Sequence, residues 1–193
     1  MRVRFVWVGG ISLLAAALAL ASGSAAEDAE TNAAINSVAD LLQKGDIDGA
    51  KKAAAEVAKK SDLESVMHGF KLRSKKGIGV GDKPGVAAPD GIELKINAIA
   101  RDGITAASLK KESEALTKAG YVTAAIAHIA HAKAPEKDDG KKKKADWNEW
   151  SEGMQKSAVE FALAAKAGDA PSLRKAANKV KQSCDTCHMV FKN

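Results

Sequence analysis

Apolar residues recur at three- and four-residue intervals through most of this chain. No stretch alternates apolar with polar residues over the length of a strand. The first period belongs to amphipathic helices, and the missing one to half-buried strands. Composition agrees. Ala and Lys dominate, Val and Ile are sparse, and Ala is the strongest helix former. Hydrophobic residues make up 46% of 193 residues, enough for one core. The expected fold class is all-α.

The first 26 residues, MRVRFVWVGGISLLAAALALASGSAA, read as an export leader. Arg2 and Arg4 form a basic start, Phe5 to Ala21 an apolar stretch, and Ser24-Ala25-Ala26 a small-residue cleavage site. The competing reading is an uncleaved anchor, for which the apolar stretch is short. Residues 1–26 are therefore expected to be a signal peptide, with a helical domain over 27–193 outside the cytoplasm, in the periplasm. No other segment is apolar enough to span a bilayer, so no membrane span is expected after cleavage. Losing Arg2 and Arg4 lowers the formal charge from +6 to +4. Much of the basic charge is local, in Lys141-Lys142-Lys143-Lys144 after Glu136-Lys137-Asp138-Asp139-Gly140, which reads as a solvated loop. No aromatic residue is interleaved there, so nucleic acid is not an expected partner.

Helical spacing runs over Thr31–Gln43 and ends at Gly45. Asp46 can cap a second helix through Val57. Ser61, with Glu64 three residues on, reads as a capping box for a helix through Leu63, Val66, Met67 and Phe70. Ser74 to Gly91 is rich in Gly and Pro and reads as a loop. Its Gly77-Ile78-Gly79-Val80-Gly81 string lacks the spacing and context of a nucleotide-binding motif. A short helix is expected over Ile92–Ala100, a long one over Ala106–Ala132, and one capped by Asp146 that ends at Gly168. Pro171 opens the last helix, whose stripe is Leu173, Ala176, Ala177, Val180, Cys184, Cys187 and Phe191. Both cysteines thus share its inward face.

Those two thiols, the only ones in the chain, stand in Cys184-Asp185-Thr186-Cys187-His188. C-x-x-C-H is the attachment motif of c-type haem. Residues i and i+3 share a helix face, so each cysteine can form a thioether with one vinyl-derived carbon of a single porphyrin. His188 is then held under the ring, where an imidazole nitrogen can bind iron. One covalent haem c is expected. Three other chemistries use such a pair: a disulfide, which would close a small strained loop; a thioredoxin-like pair, which belongs at a helix start; and a zinc site, which needs a fourth ligand.

The stretch ADWNEWSEGMQKSAVEFALAAKAGDAPSLRKAANKVKQ leading into CDTCHMVFK resembles the class II cytochromes c, the cytochrome c′ group. The likeness lies in the Trp-rich helix start, the Ala-rich helix, the Gly-Asp turn and the Phe191-Lys192 pair. The resemblance implies a four-helix bundle with one haem, Cys184 and Cys187 as attachment sites, and His188 as proximal ligand. The N-terminal part, 27–103, diverges from that pattern, whereas 104–193 reads as the bundle core carrying the haem motif.

The family holds both electron carriers with a strong sixth ligand and proteins whose open iron binds a diatomic gas. Its low-spin members take a Met from the first bundle helix, with a basic residue nearby. Candidates here are Met67, His68, His128, His131, Met154 and Met189. Met189 is too close to His188 to reach across the ring, and Met154 lies on a core stripe. Met67 is the preferred distal ligand, with Lys71 and Arg73 as propionate contacts. His68, His128 and His131 rank lower. The eighteen-residue loop after Arg73 could span roughly 60 Å if extended, enough to carry Met67 across a bundle. The expectation is a monohaem electron carrier, not an enzyme, with an acidic redox partner steered by the lysine loop; a homodimer is compatible with this reading. The alternatives are a five-coordinate haem protein binding NO or CO, and a haem-free zinc or redox protein.

Overall fold

The computed structural model describes residues 17–192, with side chains from Ala26 onward. The expected signal peptide, 1–26, lies largely outside the described residues. Seven α-helices follow: α1 Ala17–Gln43, α2 Ile47–Lys60, α3 Leu63–His68, α4 Ile92–Asp102, α5 Ala106–Ala132, α6 Lys144–Ala167 and α7 Ala170–Phe191. Among the described residues there is no strand, only the isolated bridges Leu72–Gly91 and Asp139–Lys142. No described helix is long and apolar enough to cross a membrane.

Local chemistry sets most of the helix ends. Asp46 accepts from the Gly49 amide and Asp169 from the Ser172 amide, each satisfying one orphan donor. Gly45 and Gly168 end α1 and α6 at φ +80° and +71°, the left-handed backbone that glycine adopts without penalty. Three expected starts move. The cap of α3 is Asp62, which accepts from the Ser65 amide at 2.7 Å. Ser61 instead ends α2, and its hydroxyl bonds Thr31 Oγ1 of α1 at 3.0 Å. α6 begins at Lys144, with Lys143 at the cap position and no side-chain cap, so Asp146 falls in its first turn. α1 also extends back from Thr31 to Ala17, through an Ala-rich segment, without a break at Ala26.

α4 to α7 form the bundle. α5 and α6 run antiparallel: the Ser113 hydroxyl donates to Ala165 O, and at the other end Trp147 Nε1–H donates to Ala130 O. α6 and α7 are antiparallel too, from Lys179–Glu160 to the Phe191–Trp147 ring contact. α4 packs along α7, where Arg174 and Asn178 donate to Ala100 O. It falls on the N-terminal side of residue 103, yet it is a bundle helix. An ion pair between Lys95 and Glu112 joins it to α5.

α1, α2 and α3 pack against α5 on its remaining side. Covered from several sides, α5 is buried almost continuously from Ala115 to Ala130, which suits its run of Ala, Ile, Val and Thr. The Gly-rich segment does not stretch across the bundle. Its two ends meet at the Leu72–Gly91 bridge. Arg73 Nε donates to Asp90 at 2.9 Å, and the other Asp90 oxygen accepts from the Val80 amide at 2.8 Å. A Cβ on Gly77 would sit 1.9 Å from Lys71 O, and one on Gly79 2.5 Å from the Arg73 guanidinium. The glycine string therefore serves close packing of a folded-back loop.

Candidate haem site

Along α7 the apolar stripe changes character with height. Leu173, Ala176, Ala177 and Val180 are buried, Cys184, Cys187 and Phe191 are half-buried, and His188 is exposed. The reason lies in the neighbours. α4 covers the N-terminal part of the stripe, where Ala100 meets Arg174 and Asn178, but it begins only at Ile92. The next turns of α7 keep α6 as a partner, through the Gly153–Ser183 approach and the Trp147–Phe191 contact. An apolar helix face is thus left partly open where the two thiols and the imidazole stand. Both thiols are free.

Burial pushes the Cys184 thiol up to about 12, with the Glu93 carboxylate as the next contributor; burial also raises Cys187. Both stay protonated at neutral pH, unlike the low-pKa thiolates of redox-active pairs. Among the described residues no group of three or more His, Cys, Asp or Glu side chains is arranged to hold a metal ion. The fourth ligand that the zinc alternative requires is not assembled beside this motif.

Glu93 ties two parts of the chain together. It stands within electrostatic reach of Cys184, and its amide donates to Phe70 O at 3.2 Å. The end of the Met67 segment therefore lies against the start of α4, at the haem-motif end of the bundle. Met67 itself is half-buried and packs against the core. His68 turns to α1, with Nδ1 3.2 Å from the buried Asp28 and Nε2 3.6 Å from Glu64. Arg73 is engaged inside its loop by Asp90 and by Gly81 O at 2.7 Å. Lys71 is exposed. His131 Nδ1 pairs with Ser151 Oγ at 3.0 Å, between α5 and α6. His128 is half-buried near Lys51, and burial lowers it to about 4. Met154 is core, and Met189 is 78% exposed.

Two further groups stand at this end without a sequence signal. Leu94, in the first turn of α4, is 47% exposed, and Glu93 faces Cys184 across the helix pair. Nothing local marks them, because their role comes from the packing of α4 on α7. The Trp-rich start of α6 is legible in the sequence, but the convergence of Trp147 and Trp150 on Phe191 depends on the antiparallel pairing of α6 and α7.

The family model described as Cytochrome C' matches residues 95–192, just over half of the chain. The chain belongs to the cytochrome c′ family. Neither a curated protein nor a solved structure matches it significantly. As a haem c-type cytochrome, the chain meets the cofactor's demands. It offers two protonated thiols one helical turn apart, an exposed imidazole beside the second, and an apolar helix face open next to them. Cys184 and Cys187 would hold the haem, with His188 at its iron. The match begins within α4, so α1 to α3 and the Gly-rich loop lie outside it.

Proposed function

We propose that this cytochrome is an exported electron carrier with one haem, passing single electrons between protein partners rather than turning over a substrate. The observation that carries the reading is the half-open end of α7. Cys184 and Cys187 would hold the haem at that half-open face, where a protein partner can approach, and the group would supply the one-electron couple. The chain sets its access and surroundings. The basic loop fits this role. Lys141, Lys143 and Lys144 are exposed at the start of α6, the helix whose Trp147 and Trp150 meet Phe191. Asp138 pairs with Lys143 and accepts from the Lys144 amide at 2.9 Å, which gives the loop a fixed shape. Such a patch would steer an acidic partner. Met67 is the proposed distal ligand, supported by the contact of Phe70 with Glu93 beside Cys184.

A second reading has its own support. α4, the helix packed along α7, contains no His or Met, and its exposed apolar residue is Leu94. An apolar distal face would leave the iron open to NO or CO. A visible spectrum of the haem-loaded protein separates the two. Low-spin ferric iron that turns high-spin in Met67→Ala supports the carrier. High-spin ferrous iron whose bands shift on adding carbon monoxide supports gas binding. No Soret absorption removes both.

A further inference from the structure

His188 and Cys187 lie in the last turn of α7, where backbone carbonyls lack intrahelical donors and helices fray. Here that turn is pinned by an aromatic cluster. Phe191, the final residue of α7, meets Trp147 edge-on, with centroids 4.8 Å apart at 88°, and Trp150 at 5.9 Å and 75°. Trp147 is buried, and its Nε1–H donates to Ala130 O at 2.8 Å, which fastens the cluster to α5. The Lys192 amide closes onto His188 O at 3.2 Å. Phe191 lies three residues after His188 in the same last turn, packed inward on the tryptophans. His188 and Met189 themselves are exposed.

We propose that Trp147 and Trp150, acting through Phe191, are positioning residues for the His188 imidazole. They keep the last turn of α7 helical and so fix where the ring stands relative to the two cysteine anchors. The inference rests on the reading of His188 as the iron ligand. The cluster matters because a two-point thioether anchor fixes Cys184 and Cys187 but leaves the turn beyond them free to unwind. A His188 imidazole on an unwinding turn would lose its fixed place beside the two cysteines.

The test uses the haem-loaded protein with Phe191→Ala, Phe191→Tyr and Trp150→Phe. In Phe191→Ala, amide hydrogen exchange at His188–Phe191 is expected to quicken at least tenfold, with Ala176–Val180 unchanged. The ferric visible bands and the reduction potential should move with it. Trp150→Phe should shift both readouts the same way by less, and Phe191→Tyr should restore them. Unchanged exchange at His188–Phe191 overturns the inference. So does faster exchange with an unmoved spectrum and potential, since the cluster would then only stabilise the helix. A wild-type protein without Soret absorption would sink the haem reading itself. A Soret band together with either negative result sinks the positioning role alone.

Discussion

The buried ion pair between α4 and α5 gives the sharpest stability prediction. Lys95 Nζ lies 2.5 Å from Glu112 Oε2, with side chains only 9% and 14% exposed. The remaining partner of the ammonium is Ala88 O at 2.9 Å. Glu112→Leu would leave a buried cation with one carbonyl. Removing one partner of such a pair costs about 3–5 kcal/mol, whereas replacing both by apolar residues is often neutral. We expect Glu112→Leu to lose about 3–5 kcal/mol and Lys95→Met/Glu112→Leu to recover most of it. Urea denaturation of the four proteins in a double-mutant cycle reads both numbers. A single-mutant cost under about 1 kcal/mol, the range of exposed pairs, refutes the argument. A double mutant as unstable as the single refutes it as well.

Gly120→Ala should destabilise although it improves helix propensity. Its Cβ would lie 2.7–2.8 Å from Ala162 Cβ, Cα and N. A gain of about 1 kcal/mol in propensity then meets an overpacking cost of about 1–3 kcal/mol against backbone, so a lowered thermal midpoint is expected and a raised one refutes it. His128 is lowered from 6.5 to about 4. The unfolded chain therefore binds the proton first, and stability present above about pH 6.5 is lost as pH falls toward 4. His128→Gln should flatten that acid slope, and an unchanged slope assigns it elsewhere. In haem-free protein, Cys184 should resist iodoacetamide at pH 8 until the chain is unfolded in urea, because burial keeps its thiol protonated. Prompt labelling of the folded protein contradicts that.

What the sequence determined by itself was local. Ala106–Ala132 appears as a helix with the expected bounds, Gly45 and Gly168 end helices as glycines do, and the cysteine spacing puts both thiols on one face of α7. Each of these depends on residues within about four positions of one another, which is the reach of helix periodicity and capping. The caps that moved, from Ser61 to Asp62 and from Asp146 to Lys143, show the limit. Neighbouring polar residues compete on nearly equal terms, and Ser61 is drawn to Thr31, thirty positions away. Tertiary structure alone decided that the Gly-rich loop folds back on Asp90, that Phe70 meets Glu93, and that α4 stops short of the last turns of α7. Those contacts join residues far apart in the chain, where no periodicity reports which faces will meet. They decide how the cysteine and histidine face is left open.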